Sequence, residues 1–247
     1  LPSGFVRRTA SAARAALGLR KPLIVNASKG IEPGTLRTMG DILSAELRSR
    51  AVYTLSGPSF AREVARGIPT RLILAGPAGP ASAALRALFD GGALSVELSG
   101  DRRGVELGGS LKNVLAIGAG MLDGLKAGAN TKAALLVQGM AEMSRMISSS
   151  GGRVETIYGP AGLGDLIATG TSGESRNRAF GEKLGAGKSS AKAVGEIATV
   201  VEGIEAAASA HALARRLRVK APLMEAIHAT VHRGRPAKNV LKALGFS

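Results

Sequence analysis

The 247-residue chain is long enough for one large domain or two ordinary ones, and its 45% hydrophobic and 21% charged residues are typical of a soluble globular protein. The absence of cysteine excludes disulfides and thiolate metal sites, and the three histidines form no visible metal-binding pattern, so no metal is expected. The net charge of +15 would suit nucleic acid or an anionic small molecule, but the 33 lysines and arginines are scattered and aromatic residues make up only 3%, which argues against nucleic acid.

The first hundred residues alternate helix and strand patterns, as in an α/β fold. Apolar residues at helical spacing predict helices at 3–19, around 35–48 and at 80–89. Short apolar runs predict strands at 22–27, 52–55, 71–75 and 94–98. The run at 22–27 is continuously apolar, like the strands buried in parallel sheets, and it leads into the polar loop S-K-G-I-E. Because α/β sheets bind ligands at the carboxyl ends of their strands, this loop is a candidate binding site.

The strand signal ends near residue 100, and helical periodicity continues from there to the C-terminus. A long helix is predicted from residue 104, although four glycines lie inside it, Gly108, Gly109, Gly118 and Gly120. Each interior glycine costs about 1 kcal/mol relative to alanine. We therefore expect a neighbouring helix or a ligand to approach this backbone closely.

A second helix is predicted at 131–148, with Asn130 as its N-cap and with the methionines at 140, 143 and 146 in the core. The stretch 185–190, G-A-G-K-S-S, is predicted to be a loop between helices. No apolar run approaches the roughly 20 residues that span a bilayer, so no membrane partner is expected.

Lys112 is the one charged side chain in the middle of the long predicted helix. Gly108 and Gly109, one turn before it, carry no side chains to shield its ammonium group, and Leu115 and Ala116 lie one turn ahead. Such a half-apolar position desolvates an ammonium group, lowers its pKa and suits it to proton transfer. A lysine that reaches solvent along an apolar helix fits the same spacing, so the helix alone leaves both interpretations open.

The stretch 159–177 combines glycines with polar and charged residues, as ligand-binding segments do. Asp165 lies in an apolar, glycine-rich turn, and Arg176 and Asn177 begin the next predicted helix. Backbone N–H groups and a guanidinium group at a helix N-terminus can bind a phosphate together. The alternative is an ordinary capped helix with a surface arginine.

Seven motifs in one colinear order connect the chain to a known family. They are S-K-G-I-E (28–32), L-S-G-P-S-F-A-R-E-V (55–64), G-V-E-L-G-G-S-L-K-N (104–113), D-G-L-x-x-G-x-N-T-K-A-A-L (123–135), A-G-L-G-D-L (161–166), S-R-N-R (175–178) and V-V-E-G (200–203). Together they resemble the NAD(P)-dependent glycerol-3-phosphate dehydrogenases in their bacterial form. The motifs cover nearly the whole chain, which makes them far more specific than a single glycine motif.

The resemblance implies an α/β partial Rossmann domain in residues 1–100 followed by an all-helical substrate and dimerisation domain in residues 101–247. It implies an oxidoreductase that interconverts sn-glycerol 3-phosphate and dihydroxyacetone phosphate by hydride transfer with NAD or NADP. Such an enzyme would supply glycerol 3-phosphate for phospholipid synthesis. By the same resemblance, we expect a cytoplasmic homodimer with a small phosphorylated three-carbon substrate.

The resemblance also assigns roles to single residues. Lys112 corresponds to the catalytic proton donor and acceptor, Lys29 to a second active-site lysine, and Asp165 to the residue that orients this pair. The substrate-binding positions are Lys29, Gly57, Ser59, Lys112, Asn113, Asp165, Ser175, Arg176 and Asn177. The cofactor-binding positions are Lys29, Ala61, Arg176, Val200 and Glu202.

One feature of the family is missing from the sequence. A dehydrogenase of this family opens with a strand and a G-x-G-x-x-G-type turn that seats the pyrophosphate. The nearest match here, G-L-G-D-L-I at 162–167, follows no predicted strand and lacks the third glycine. The resemblance therefore implies an N-terminally incomplete chain that begins late in the Rossmann domain, without roughly its first βαβ half.

Two other functions stay open at this point. One is a related reductase of the same architecture with another small hydroxy or keto substrate; here Arg176→Ala discriminates, because it should raise KM mainly for phosphorylated substrates. The other is a non-catalytic helical binding or dimerisation module that uses its positive charge to bind polyanions, and steeply salt-dependent binding would support it.

Overall fold

The computed structural model describes residues 1–18, 20, 22–197 and 199–246, and its first hundred residues contain a four-stranded sheet. The strands are β1 (Ile24–Asn26), β2 (Val52–Ser56), β3 (Thr70–Ala75) and β4 (Leu94–Ser99). They lie side by side in chain order; β1 with β2 and β3 with β4 are parallel, whereas β2 and β3 are antiparallel. The carboxyl ends of β1 and β2 therefore meet at the same edge of the sheet.

All four strands fall where the apolar runs predict them, but β1 is shorter than its run. It contains three of the residues in 22–27, and Leu23 is 46% exposed. The expectation that this run is buried is wrong for Ile24 and Val25, which are partly exposed. Among the described residues, β1 pairs with β2 on one side only, which leaves its other side uncovered.

Four helices accompany the sheet, α1 (Ser3–Leu17), α2 (Met39–Glu46), α3 (Ala61–Ala65) and α4 (Pro80–Phe89). The bounds of α4 agree with the predicted helix, and Pro80 occupies its first turn, where no backbone donor is needed. In α1 the helix ends before Gly18, whose φ of +57° is incompatible with a continued right-handed helix. Leu19, the last residue of the predicted helix 3–19, lies outside the described residues.

The helix predicted around 35–48 begins later, at Met39. Before it, the chain forms a turn in which the Leu36 N–H donates to the Glu32 carbonyl and the Glu32 N–H donates to the Arg37 carbonyl, each at 2.9 Å. These bonds hold Leu36 at a φ of +56°, outside the helical region. The turn sets the path of the chain from β1 into α2.

In the described residues after Asp101, all regular structure is helical. The α-helices are α5 (Arg102–Gly124), α6 (Gly128–Ser149), α7 (Asp165–Thr171), α8 (Arg176–Gly185), α9 (Ser190–Gly195), α10 (Glu202–Leu217), α11 (Pro222–Arg233) and α12 (Asn239–Ala243). A 3₁₀ turn (Val154–Tyr158) and a π turn (Pro160–Gly164) lie between α6 and α7. None of the helices in the described part of the chain combines the length and the apolar character that a bilayer crossing requires.

The prediction that Asn130 caps the second long helix is wrong. The helix α6 begins at Gly128, so Asn130 lies within its first turn. Only a short turn separates α5 from α6, and Lys126 and Gly128 adopt positive φ angles of 55° and 84° there to reverse the chain. The predicted loop at 185–190 is confirmed, since α8 ends at Gly185 and α9 begins at Ser190.

The central helix of the fold is α5, and nearly all of its residues are buried. A Cβ added at Gly120 would overlap the Arg178 carbonyl of α8, and a Cβ at Gly181 of α8 would overlap the Ile117 carbonyl of α5. The two helix backbones are therefore in direct contact. The expected close approach of a neighbouring helix is confirmed for this half of α5.

The first half of α5 packs against loops. A Cβ at Gly108 would lie 3.1 Å from the Ala161 carbonyl oxygen in the π turn. A Cβ at Gly109 would lie 2.9 Å from Ser56 Oγ at the end of β2 and 3.6 Å from Cδ of Lys29. Gly108 therefore makes room for the π turn, and Gly109 makes room for the end of β2 and for Lys29, one of the two lysines singled out by the resemblance.

The largest apolar cluster surrounds α5 in the helical region, and a smaller one lies against the sheet, formed by Tyr53, Leu72, Leu74, Leu85 and Val96. Met143 and Met146 are fully buried and Met140 packs against the same cluster, which confirms their predicted place in the core. The helix α5 thus joins a packed helical core to the edge of the sheet where the loops after β1 and β2 lie.

Candidate active site

A cavity of about 660 Å³ opens at the carboxyl ends of β1 and β2. The loop after β1 contributes Lys29, and the loop after β2 contributes Ser59 and Phe60. The helical region contributes the polar lining residues Lys112, Asn113, Asp165, Thr169, Glu174, Ser175, Arg176, Asn177, Thr199 and Glu202. Segments far apart in the sequence thus meet at one edge of the sheet, the place where α/β folds bind ligands.

Asp165 lies between two lysines inside this cavity. Its Oδ1 is 2.9 Å from Nζ of Lys112, and its Oδ2 accepts a hydrogen bond of 2.5 Å from Nζ of Lys29. Lys112 also donates to Thr169 Oγ1 at 2.6 Å, and that hydroxyl donates to Asp165 Oδ1 at 3.1 Å. Nζ of Lys29 lies 3.3 Å from the carbonyl oxygen of Gly57. One carboxylate therefore fixes the relative positions of two ammonium groups.

The local sequence explains why the carboxylate stands there. The π turn Pro160–Gly164 contains two glycines, and a Cβ at Gly162 would overlap the Ile157 carbonyl. The π turn can therefore pack directly on the 3₁₀ turn before it, and α7 starts at Asp165 itself. The carboxylate at the first position of a helix is also favoured by the helix dipole.

Burial and charge shift the pKa values of this group in opposite directions. Burial lowers the pKa of Lys112 to about 8 from an ordinary value of 10.5, with a further contribution from the nearby charge of Lys29, against the opposing effects of Asp165 and Glu202. Burial by itself would raise the pKa of Asp165, but Lys29 and Lys112 outweigh it and lower the pKa. The desolvation predicted for Lys112 is confirmed, and its ammonium group can release a proton near neutral pH.

A second hydrogen-bond chain continues from Asn113. Its Oδ1 accepts a bond of 2.9 Å from Nδ2 of Asn177, whose Oδ1 accepts one of the same length from the backbone N–H of Gly203. Nδ2 of Asn113 lies 3.5 Å from the Glu202 carboxylate. This chain ties α5, α8 and the start of α10 together around the cavity.

The N-terminus of α8 opens into the cavity. Ser175 caps the helix, because its hydroxyl accepts from the backbone N–H of Arg178 at 3.2 Å. Arg176, at the first helical position, is exposed and lines the cavity. An exposed guanidinium group beside the free N–H groups of a helix start offers a bidentate donor set to an anion.

The remaining predicted positions lie around this cavity in different ways. Ser59, Val200 and Glu202 line it. Gly57 contributes its backbone carbonyl to Lys29 and does not line the cavity. Ala61 is exposed at the start of α3, directly after Phe60, and does not line the cavity either.

Sequence reasoning missed Thr169, which contacts both Asp165 and Lys112. It follows Asp165 by four residues, so a helix starting at Asp165 places both on the same face. The sequence did not reveal that α7 starts at Asp165, because the glycine-rich segment before it is typical of an open turn. Thr169 was therefore not recognised as a neighbour of Asp165.

The three histidines of the chain meet on α10 and α11, away from this cavity. The rings of His211 and His228 stack with centroids 4.1 Å apart, and the ring of His232 lies 4.9 Å from that of His228. Nδ1 of His228 is buried and has no hydrogen-bond partner among the described residues. Within the described part of the chain, no group of three His, Asp or Glu side chains is arranged to hold a metal ion.

Comparison with known proteins identifies two family regions in the chain. The family described as NAD-dependent glycerol-3-phosphate dehydrogenase N-terminus matches residues 1–79, and its C-terminus counterpart matches residues 101–242. The two matches cover most of the chain in the expected order.

Two bacterial relatives are each named glycerol-3-phosphate dehydrogenase (NAD(P)+). The protein from Geobacter sulfurreducens is 45% identical over 225 residues, which cover 90% of this chain and 67% of the relative. The protein from Thermus thermophilus is 46% identical over 227 residues, which cover 90% of this chain and 69% of the relative. The chain thus spans about two thirds of the length of these relatives.

The fold agrees with the same comparison. A crystal structure of glycerol-3-phosphate dehydrogenase from Coxiella burnetii superposes with a TM-score of 0.90 at 36% identity, and the match covers 98% of this chain and 73% of that structure. The sequence matches, the shared fold and the motif order agree. The chain belongs to the NAD-dependent glycerol-3-phosphate dehydrogenase family.

Proposed function

We propose that the protein interconverts sn-glycerol 3-phosphate and dihydroxyacetone phosphate with NAD(P), and that Lys112 is its catalytic acid and base. The observation that carries the proposal is the buried Asp165, which holds the ammonium groups of Lys112 and Lys29 at 2.9 and 2.5 Å within one cavity. Two ammonium groups on one carboxylate leave a net positive charge where a substrate oxygen becomes negative during reduction.

Lys112 is the better proton donor of the two lysines because of its environment. Its side chain is only 7% exposed, compared with 20% for Lys29. With a pKa of about 8, it is mainly protonated at neutral pH and still gives up a proton readily. As the carbonyl of dihydroxyacetone phosphate is reduced, Nζ donates a proton to its oxygen; in the opposite direction, the neutral amine accepts the hydroxyl proton.

The phosphate group fits the N-terminus of α8. The guanidinium group of Arg176 and the backbone N–H groups at the helix start provide the donors, and Ser175 and Asn177 flank them. Asn113 and Asn177 are already joined by a hydrogen bond, so their amides are pre-ordered before a ligand arrives. Binding the phosphate here fixes the distance of the carbonyl carbon from Lys112.

The chemistry of the cavity also fits the nicotinamide end of NAD(P). Phe60 and Val200 add apolar surface beside the charged groups of Lys29 and Arg176. We propose that the cofactor is held by Lys29, Ala61, Arg176, Val200 and Glu202. When bound, it supplies or accepts the hydride. The protein's own groups bind and orient the substrate and move the proton.

We further propose a division of the chain at residue 100 into a nucleotide-binding part and a substrate and dimerisation part. The end of β4 at Ser99 and the start of α5 at Arg102 support this boundary. We also propose that the protein is a homodimer, as the family resemblance implies, which light scattering would test. The proposed setting is a cytoplasmic enzyme that supplies glycerol 3-phosphate for phospholipid synthesis.

The test is an enzyme assay of the natural protein that carries this sequence. It follows the decrease in absorbance of the reduced nicotinamide cofactor when dihydroxyacetone phosphate is added. Lys112→Ala should abolish turnover while the matched variant Lys192→Ala, which removes an exposed lysine on α9, should not change it. Equal activities of both variants would contradict the role of Lys112. Turnover of unphosphorylated keto compounds in preference to dihydroxyacetone phosphate would instead point to a related reductase.

A further inference from the structure

Glu106 of α5 is a buried carboxylate that the proposed reaction does not use. It is 5% exposed, and its two oxygens have five donors around them. Oε1 accepts from the Gly40 N–H at 2.7 Å and from the Thr54 hydroxyl at 2.9 Å, and Oε2 accepts from the Thr38 hydroxyl at 2.7 Å. Nη1 of Arg102 lies 3.4 Å from Oε2, and the fifth donor is the amide of Asn26.

The contact with Asn26 leads directly to the candidate active site. Nδ2 of Asn26 lies 3.4 Å from Oε1 of Glu106 and donates to the Ser28 carbonyl at 2.9 Å. The Ser28 N–H donates in turn to Oδ1 of Asn26, also at 2.9 Å. The Asn26 side chain is therefore hydrogen-bonded to both backbone groups of Ser28 and holds residues 27 and 28, which precede Lys29, in a fixed turn. Its amide orientation is the one in which Nδ2 faces the carboxylate.

We propose that Glu106, acting through Asn26, is a positioning residue for Lys29. The proposal rests on the function proposed above, in which Lys29 shares Asp165 with the catalytic lysine. The carboxylate fixes the amide of Asn26, the amide fixes the backbone of residues 27 and 28, and this backbone directs the Lys29 side chain towards Asp165. A carboxylate is suited to the task because it accepts from several elements at once.

The other contacts of Glu106 provide the matched control. Thr38 binds Oε2, on the side of the carboxylate away from Asn26, and connects to α2. Thr38→Val removes a hydrogen bond of Glu106 without touching the path to Lys29. If Glu106 has a purely structural role, Thr38→Val and Asn26→Ala should have similar effects on kcat and on the reactivity of Lys29. If it positions Lys29, only Asn26→Ala should change them.

The first arm of the test is a kinetic cycle in the natural protein. Asn26→Ala and Glu106→Ala should each lower kcat about 10- to 100-fold, the effect of misplacing an active-site group by about 1 Å. In a Lys29→Ala background the same changes should lower kcat no further. Equal losses in both backgrounds would overturn the proposal. Glu106→Gln should recover most of the activity, because Gly40 N–H requires an acceptor at Oε1 and keeps the amide oxygen facing Asn26.

The second arm measures Lys29 without any turnover. The rate at which acetic anhydride acetylates Lys29, followed by peptide mass spectrometry, should rise several-fold in Asn26→Ala and stay at the wild-type value in Thr38→Val. An unchanged rate in a folded Asn26→Ala protein would overturn the proposal. This arm decides the positioning role even when the wild-type protein fails to reduce dihydroxyacetone phosphate, a result that would count against the proposed function alone.

Discussion

Two buried carboxylates, one at the cavity and one in the helical core, show how the same burial serves different purposes. Asp165 is 3% exposed and lies between two lysines, whereas Glu142 of α6 is fully buried and accepts backbone N–H bonds from Leu223 and Met224 at 2.9 and 3.0 Å. Burial opposes the charge of both. It raises the pKa of Glu142 despite these two bonds, while the lysines hold the pKa of Asp165 below its ordinary value.

The difference lies in what the partners can do. The partners of Glu142 are two backbone N–H groups in the first turn of α11 and the side-chain amide of Gln138, none of which can act as an acid. This carboxylate therefore caps a helix and holds α6 against α11. The partners of Asp165 include two amines, and one of them, Lys112, has a pKa of about 8. Asp165 therefore holds groups that can change charge during a reaction.

Among the changes that separate these two carboxylates, the largest effect is expected from Asp165→Asn. The change leaves the two ammonium groups without their shared counter-ion, so kcat should fall by about 10²- to 10⁴-fold, the range of a lost acid–base arrangement. Steady-state kinetics with dihydroxyacetone phosphate would measure it. Activity within a few-fold of the wild type would mean that Asp165 does not organise the lysines.

A second change removes positive charge from the cavity without touching Asp165. Arg176→Ala should raise KM for dihydroxyacetone phosphate about 10- to 100-fold, the value of a charge-assisted hydrogen bond pair, and should change kcat less. Arg215→Ala, at an exposed position on α10, is the matched control. An equal rise of KM for unphosphorylated dihydroxyacetone would contradict the assignment of Arg176 to the phosphate.

The opposite outcome is expected for the carboxylate in the helical core. Glu142→Gln replaces one acceptor oxygen by an amide donor that faces a backbone N–H, so it should lower the free energy of unfolding by about 1–3 kcal/mol. Urea denaturation would measure this loss, and kcat should stay at the wild-type value. A loss of kcat in a folded Glu142→Gln protein would remove the distinction between the two carboxylates.

The last effect concerns His228, a buried base on the same helix that Glu142 caps. Burial lowers its pKa to about 4 from an ordinary value of 6.5, with further contributions from His211, His232 and Arg233. Below about pH 6.5 the unfolded chain binds a proton at His228, whereas the folded protein keeps this side chain neutral down to about pH 4. The contribution of neutral His228 to the free energy of unfolding is therefore complete above pH 6.5 and is lost as the pH falls towards 4. The free energy of unfolding should decrease by about 1 kcal/mol per pH unit over the middle of this range.

Thermal or urea unfolding at several pH values would measure this decrease. His228→Gln, which cannot be protonated, should make the curve flatter between pH 6.5 and 4. The same slope in the variant would show that another group carries the pH dependence.

The local elements of this fold could be predicted from the sequence because they depend on short-range patterns. The strands at 52–55, 71–75 and 94–98 and the helix at 80–89 all follow from apolar periodicity and flanking turn residues. The four glycines inside α5 also correctly predicted close packing, because glycine destabilises a helix interior unless another part of the chain lies directly against it. The wrong N-cap at Asn130 came from the same local view, which missed the tight turn at Lys126 and Gly128.

The site itself could not be predicted from local patterns. Lys29 and Asp165 are 136 residues apart in the sequence, and only the resemblance to a family brought them together in advance. Glu106 and Glu142 gave no signal, because a charged residue on a helix is ordinarily on the surface. Their burial depends on donors from other elements, which periodicity within one helix does not reveal.

The most direct test of the central claim is an NMR titration of the Lys112 side chain, followed at its ε-carbon and assigned with Lys112→Arg. The proposed mechanism predicts a midpoint of about 8 in the wild-type protein. In Lys29→Met the midpoint should rise towards the ordinary value of 10.5, because a neighbouring positive charge is removed and Asp165 is left to Lys112 alone. A wild-type midpoint near 10.5, or a midpoint unchanged in Lys29→Met, would contradict the claim that these three residues act as one group.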